Sequence, residues 1–324
     1  MKVRDSQAAP GRQGGTDWAD GSGPRSANFL SPAPLRWGLA VAALLLVVLA
    51  AFALGKFPIG PSDLARIVWA RISGSETGLP PAMETVIWNI RLPRIGAALL
   101  VGAVLSAAGA AYQGMFRNPL VSPDILGVSA GAGLGAVLAI WLGLPLGAVQ
   151  GFAFMGGLVA VGAVLGLSLL VRQHDPVLVL VLAGVAVGAL LGAGIALIKT
   201  VADPTTQLPS ITFWLMGGLN AITGSDLLGT APALLLGLLP MALLRWRMNL
   251  LSLDDDEAEA LGVPVGPDFG RLLPASLMLG GGFLVVADTL AHTVADIELP
   301  LGIVTALVGA PFFLFLLARG GRDL

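Results

Sequence analysis

Long stretches of apolar residues, recurring along the chain, restrict this sequence to very few folds. From Trp37 to Leu54 no ionisable side chain occurs. A helix crosses a hydrocarbon core about 30 Å thick with about 20 such residues at roughly 1.5 Å each. Seven more runs follow, approximately Ile95 to Met115, Val128 to Gly143, Gly147 to Val171, Leu178 to Ile198, Leu227 to Leu244, Leu272 to Ala291 and Pro300 to Ala318. In lipid, backbone polar groups must be paired within the segment, so each run reads as a helix. The expected fold is an all-α polytopic membrane protein of about eight spans. A shorter stretch, Leu208 to Asn220, carries Trp214 and two glycines. It is too brief to cross and reads as an interfacial or re-entrant helix.

Composition agrees. Of 324 residues 56% are hydrophobic and 12% charged, with a mean hydropathy of +0.85, against roughly 25% charged in soluble domains. Many of the 44 glycines lie inside the apolar runs; in lipid, small residues let helix backbones approach closely. Cysteine is absent and His174 and His292 are far apart, so no disulfide, thiolate metal site or cofactor is expected. The net charge of −2, without acidic or basic blocks of the relevant kind, gives no sign of a nucleic-acid partner. Membrane lipid is the expected surroundings.

Residues 1–34 are rich in Gly, Ser, Pro, Asp and Arg and read as a disordered tail; residues 35–324 read as one transmembrane domain. Ala51-Phe52-Ala53 resembles a signal-peptidase site, but the first run reads as a retained helix. Positive charge is retained in the cytoplasm. With the N-terminus inside, twelve Lys and Arg lie inside and six outside, which puts both termini in the cytoplasm. Two of the outside six, Arg91 and Arg94, crowd the mouth of the second span in Ile90-Arg91-Leu92-Pro93-Arg94. They read either as snorkelling residues or as an outward cationic site for an acidic partner.

Arg91-Leu92-Pro93-Arg94, Gln113, Arg117-Asn118-Pro119-Leu120, Pro123 and Leu126-Gly127-Val128-Ser129 occur in that order. Trp214 with Gly217 and Gly218, Asn249-Leu250-Leu251, Leu261-Gly262-Val263, Ala287-Asp288 and Leu299-Pro300-Leu301-Gly302 through Thr305 to Gly309-Ala310-Pro311 continue the series. As a constellation this resembles the FecCD permeases, the membrane subunits of ABC importers for iron-siderophores, haem and cobalamin. The resemblance implies a BtuC-like helical bundle in the inner membrane, with no catalytic residues. The partners it implies are two copies of an ABC ATPase, a periplasmic or lipoprotein binding protein, and a second permease, identical or paralogous. No Gly-x-x-x-x-Gly-Lys-Ser/Thr loop occurs, so ATP would be handled by the separate subunit. An iron-siderophore is the expected cargo, with cobalamin or haem as alternatives. A secondary transporter or channel is the rival class; Asp288 is its one good mid-membrane candidate.

By the same resemblance Arg91, Arg94 and His292 dock the binding protein. The polar stretch at about 248–267, with Asp254, Asp255, Asp256, Glu257, Ala258, Leu261 and Gly262, couples to the ATPase. Gln113, Asn118, Pro119, Gly302, Thr305, Gly309 and Pro311 break helices or line the path. Asp288 and His292, four apart, are expected on one helix face. After Leu261-Gly262-Val263-Pro264-Val265 the family continues into a helical hairpin that is missing here, so that about eight spans stand where the family has ten.

Overall fold

The computed structural model describes residues 33–116, 118, 121–171, 176–245, 269–295 and 297–320. Residues 1–32 of the expected tail, Pro119 and the acidic stretch 254–262 lie outside them, while Ala33 and Pro34 already belong to the first helix. All eight apolar runs are helical. The helices are α1 (Ala33–Ala53), α2 (Pro61–Ser73), α3 (Pro81–Thr85), α4 (Leu92–Met115), α5 (Val128–Trp141), α6 (Leu146–Leu170) and α7 (Pro176–Val201). They continue with α8 (Gln207–Met216), α9 (Gly224–Leu243), α10 (Phe269–Thr293) and α11 (Leu301–Gly320). Six helical stretches among the described residues are long and apolar enough to cross a membrane, while Val128–Trp141 and Leu301–Phe315 are shorter apolar ones.

The expected second span begins much earlier than Ile95. A π-helical segment, Val86–Arg91, joins α3 to α4, so helix runs unbroken from Pro81 to Met115. Pro93 donates no backbone hydrogen bond, and its ring crowds the carbonyl of Asn89 four residues back. The wider π turn just before it relieves that crowding. Arg91 and Arg94 therefore project from within a helical wall.

The amphipathic helix α2 was not expected from the apolar runs. Pro61 at its first turn, Asp63 close behind, and Gly74 closing it in the left-handed conformation at φ 70° form the usual asymmetry of helix ends. Ile67 packs with Ile59 and Ile87, tying α2 to the chain on either side. The short stretch foreseen around Trp214 is α8.

Helix interfaces are built from small side chains. Ala98, Ala107, Ala136 and Ala139 are completely buried, whereas Leu169, Leu170 and Leu190 are largely exposed. An apolar exterior over a small-residue interior suits helices packed in lipid. The most extensive interfaces are α4 with α10 and α5 with α6. A Cβ on Gly102 of α4 would lie 2.3 Å from the Gly280 carbonyl oxygen of α10. One on Gly135 of α5 would lie 2.1 Å from the Phe152 carbonyl oxygen of α6. At both crossings, backbone rests on backbone.

Candidate functional site

The charged residues within the bundle converge where α4 begins and α10 ends. Arg91 and Arg94, three apart, emerge on neighbouring turns of one side, and are 8% and 9% exposed. Arg91 donates to the carbonyls of Phe52 and Phe57, which flank the bend after α1. At the apex of that bend Gly55 has φ 138°, and a Cβ there would stand 2.9 Å from Arg91 Nη2 and 3.6 Å from His292 Nε2. Only glycine fits without strain.

Arg94 reaches two carboxylates. Its Nε donates to Asp288 Oδ2 at 2.7 Å and its Nη1 to Glu298 Oε1 at 3.0 Å. Asp288 comes from α10 and is 3% exposed. Glu298 comes from the connection between α10 and α11, with its side chain 38% exposed. A buried charge is tolerated only when paired and hydrogen-bonded; Arg94 and Asp288 meet that condition through each other, and Arg91 is hydrogen-bonded to two carbonyls. Among the described residues no buried side-chain nitrogen or oxygen lacks a partner.

His292 lies one turn after Asp288, as its spacing implied. Its Nδ1 is 2.6 Å from the Asp288 backbone carbonyl and 3.8 Å from Oδ2. A carbonyl only accepts, so Nδ1 carries the hydrogen, and Nε2 lies on the Gly55 side.

Two cavities meet at this cluster. One of about 470 Å³ is lined by Arg94, Asp288 and Glu298 together with Trp214, Asn220 and Asp226, among others. Another of about 180 Å³ is lined by the same trio together with Lys56, Arg91 and His292, among others.

The residues expected to dock a partner thus do come together, but not as free cations. Both arginines already have partners within the chain, because a guanidinium facing a helix interface must replace its lost water. Glu298 was missed. Its signal was position, as an acidic residue just before Leu299-Pro300 in the only polar break between the last two apolar runs. The carbonyls of Phe52 and Phe57 had no signal at all.

The residues expected along the path are dispersed. Gln113 and Asn118 are exposed at the far end of α4, where the Asn118 amide donates to the Gln113 carbonyl at 3.1 Å. Gly302 is a point of close approach, since a Cβ there would lie 2.5 Å from the Met216 carbonyl oxygen at the end of α8. The Thr305 hydroxyl donates to the Gly302 carbonyl at 3.1 Å. Gly309 has open space beside it, and Pro311 is exposed within α11. Among the described residues no group of three metal-binding side chains occurs.

The sequence profile of the FecCD transport family matches residues 43–267 and 263–319. The two matches meet at 263–267, where a hairpin is missing from the expected pattern. A molybdate import system permease, MolB of Haemophilus influenzae, is 33% identical over 325 positions, covering 86% of this chain and 96% of that protein. The hemin transport permease HmuU of Yersinia pestis is 34% identical, covering 85% and 94%. The cobalamin import permease BtuC of Halobacterium salinarum is 36% identical, covering 74% and 75%. One solved structure, of a protein assigned to the metal-chelate type of ABC transporter in an inward-facing conformation, superposes with a TM-score of 0.75. It is 29% identical and covers 88% of this chain and 99% of its own.

Proposed function

Because this chain belongs to the FecCD transport family, we propose that it carries an iron-siderophore-type metal chelate across the cytoplasmic membrane as the permease subunit of an ABC importer. The observation that carries the reading is the family match over 43–267 and 263–319, with the metal-chelate type transporter as structural relative. Relatives named for molybdate, hemin and cobalamin define the competing cargoes.

Transport of this kind is alternating access driven from outside the chain. Two ATPase copies close on each other and switch a pair of permeases between outward and inward states. The permease forms that pair with itself or with a paralogue. The arginine distribution supports cytoplasmic termini. The Arg91 end of the bundle then faces outward, toward a binding protein whose carboxylates are steered by Arg91, Arg94 and His292. The acidic stretch from Asp254 to Gly262 docks the ATPase. The path runs past Gly302 and Thr305, with Gln113, Asn118, Pro119, Gly309 and Pro311 at helix ends and breaks.

The test is reconstitution in proteoliposomes with the ATPase and binding protein that co-purify with the chain. ATP turnover should rise when the binding protein is loaded, and labelled ferric siderophore should accumulate. Uptake of hemin, cobalamin or molybdate instead would refute the cargo. Uptake without any ATPase would refute the importer class and favour a secondary carrier.

A further inference from the structure

The two carboxylates on Arg94 hold it in different ways. Asp288 is rigid: it sits in α10 with its side chain 4% exposed and takes the Nε hydrogen. Glu298 is loose by comparison, being 38% exposed on a non-helical connection. Among the described residues, three interactions tie that connection and the start of α11 to three elements. The Leu299 amide donates to the Ala291 carbonyl of α10 at 3.0 Å, and the Leu301 amide donates to the Gly217 carbonyl after α8 at 3.1 Å. The third point is the pair between Glu298 and Arg94 of α4. Of the three it is the ion pair, and its carboxylate is part-exposed, so a competing anion acts on it first.

The position of the trio adds a consequence. Arg94, Asp288 and Glu298 line both cavities, so Glu298 stands in the partition between them. On the smaller side the wall brings together Lys56, Arg91 and Arg94, a set of cationic side chains suited to a carboxylate.

We infer that Glu298 is a built-in surrogate for a carboxylate of the docking protein. This rests on the docking reading above and adds a mechanism to it. An aspartate or glutamate side chain of the partner enters the smaller cavity and takes Nη1 of Arg94 from Glu298, while Asp288 keeps Nε. One carboxylate replaces another, so Arg94 is never left buried and unpaired, the state that carries the heavy penalty. Glu298 moves to water, to which it is already part-exposed. The released connection no longer ties α4 to the start of α11 and the end of α8, and the partition between the cavities opens. Docking thereby loosens α8 and α11 without any contact to them.

The test uses the full chain in nanodiscs at low ionic strength, with hexaglutamate as the probe and hexaglutamine as the control. Amide exchange is read at Leu299 and Leu301. Hexaglutamate should speed exchange at both in the wild-type protein, and hexaglutamine should not. Glu298→Gln should be about fivefold faster without any peptide and indifferent to hexaglutamate, with the amides of α5 unchanged as the control for folding. Equal exchange in wild type and E298Q, or no response of the wild type to hexaglutamate, overturns the surrogate role. The wild-type titration stands even where the variant folds poorly. If the loaded binding protein stimulates ATP turnover while these amides stay unchanged, the surrogate fails and the importer reading survives. If the amides respond but no binding protein stimulates turnover, Glu298 is displaced by carboxylates but the docking reading fails, and with it the surrogate role.

Discussion

Replacing Gly280 by alanine tests whether backbone contact sets the spacing of α4 and α10. The new Cβ would lie 2.2 Å from Ser106 Cβ and 2.3 Å from the Gly102 carbonyl oxygen. Backbone cannot rotate away as a side chain can, so the helices must part by about 1 Å to reach an ordinary separation of about 3.5 Å. A gap of that size forfeits roughly a quarter to a half of each dispersion contact, and the crossing includes the buried Ala98, Leu284 and Val285. Overpacking of this kind costs about 1–3 kcal/mol. Alanine's better helix propensity returns at most about 1 kcal/mol, so a net loss of about 1–2 kcal/mol is expected. Gly109, in the same helix as Gly102, has no atom within 4 Å of its would-be Cβ. There the propensity gain is unopposed, and Gly109→Ala should be neutral or stabilising by up to about 1 kcal/mol. The assay is SDS-induced unfolding of the full chain in bicelles, followed by tryptophan fluorescence. If Gly280→Ala were as stable as wild type, or Gly109→Ala lost as much, the close-packing argument would be wrong.

Asp288→Asn leaves Arg94 without its buried partner and should cost about 3–5 kcal/mol in the same assay, whereas Glu298→Gln, at a half-exposed site, should cost under about 1 kcal/mol; equal losses would refute the distinction. Charge reversal of Arg91 or Arg94 would put a carboxylate against carbonyls or against Asp288, so reduced folded yield in fluorescence-detected size exclusion is expected as well as weaker docking. Hydrogen bonds from the hydroxyls of Thr205 and Thr206, then from their amides, lower Asp203 from 3.8 to about 2. Its ordering of the turn before α8 is therefore complete above the ordinary value and lost as pH falls through about 2. Asp203→Asn should speed amide exchange at Thr205 and Thr206 at neutral pH, and the difference from wild type should vanish between about pH 4 and 2. Deleting Asp254 to Glu259 should abolish co-purification with the ATPase, and intact association would remove the coupling assignment.

The eight apolar runs were legible because a helix in lipid must bond its own backbone groups, and hydropathy records where that demand applies; the helix at Trp214 stood out as an apolar stretch too brief to cross. α2 escaped the same criterion, being amphipathic and too short to span, although Pro61 and Gly74 marked its ends. The i,i+4 relation of Asp288 and His292 was also readable, since it is local to one helix.

What the sequence determined, then, was much of what is local in origin: the helices of the apolar runs, the small residues available for contact, and the family order of motifs. Tertiary structure alone decided how Arg91 and Arg94 are used. An arginine at a span's mouth carries the same letter whether it faces water or a helix interface. Which it does depends on Asp288 and Glu298, some two hundred positions away, and on two carbonyls that no side-chain pattern announces. Burial made those partners obligatory, and burial is a property of the assembled bundle.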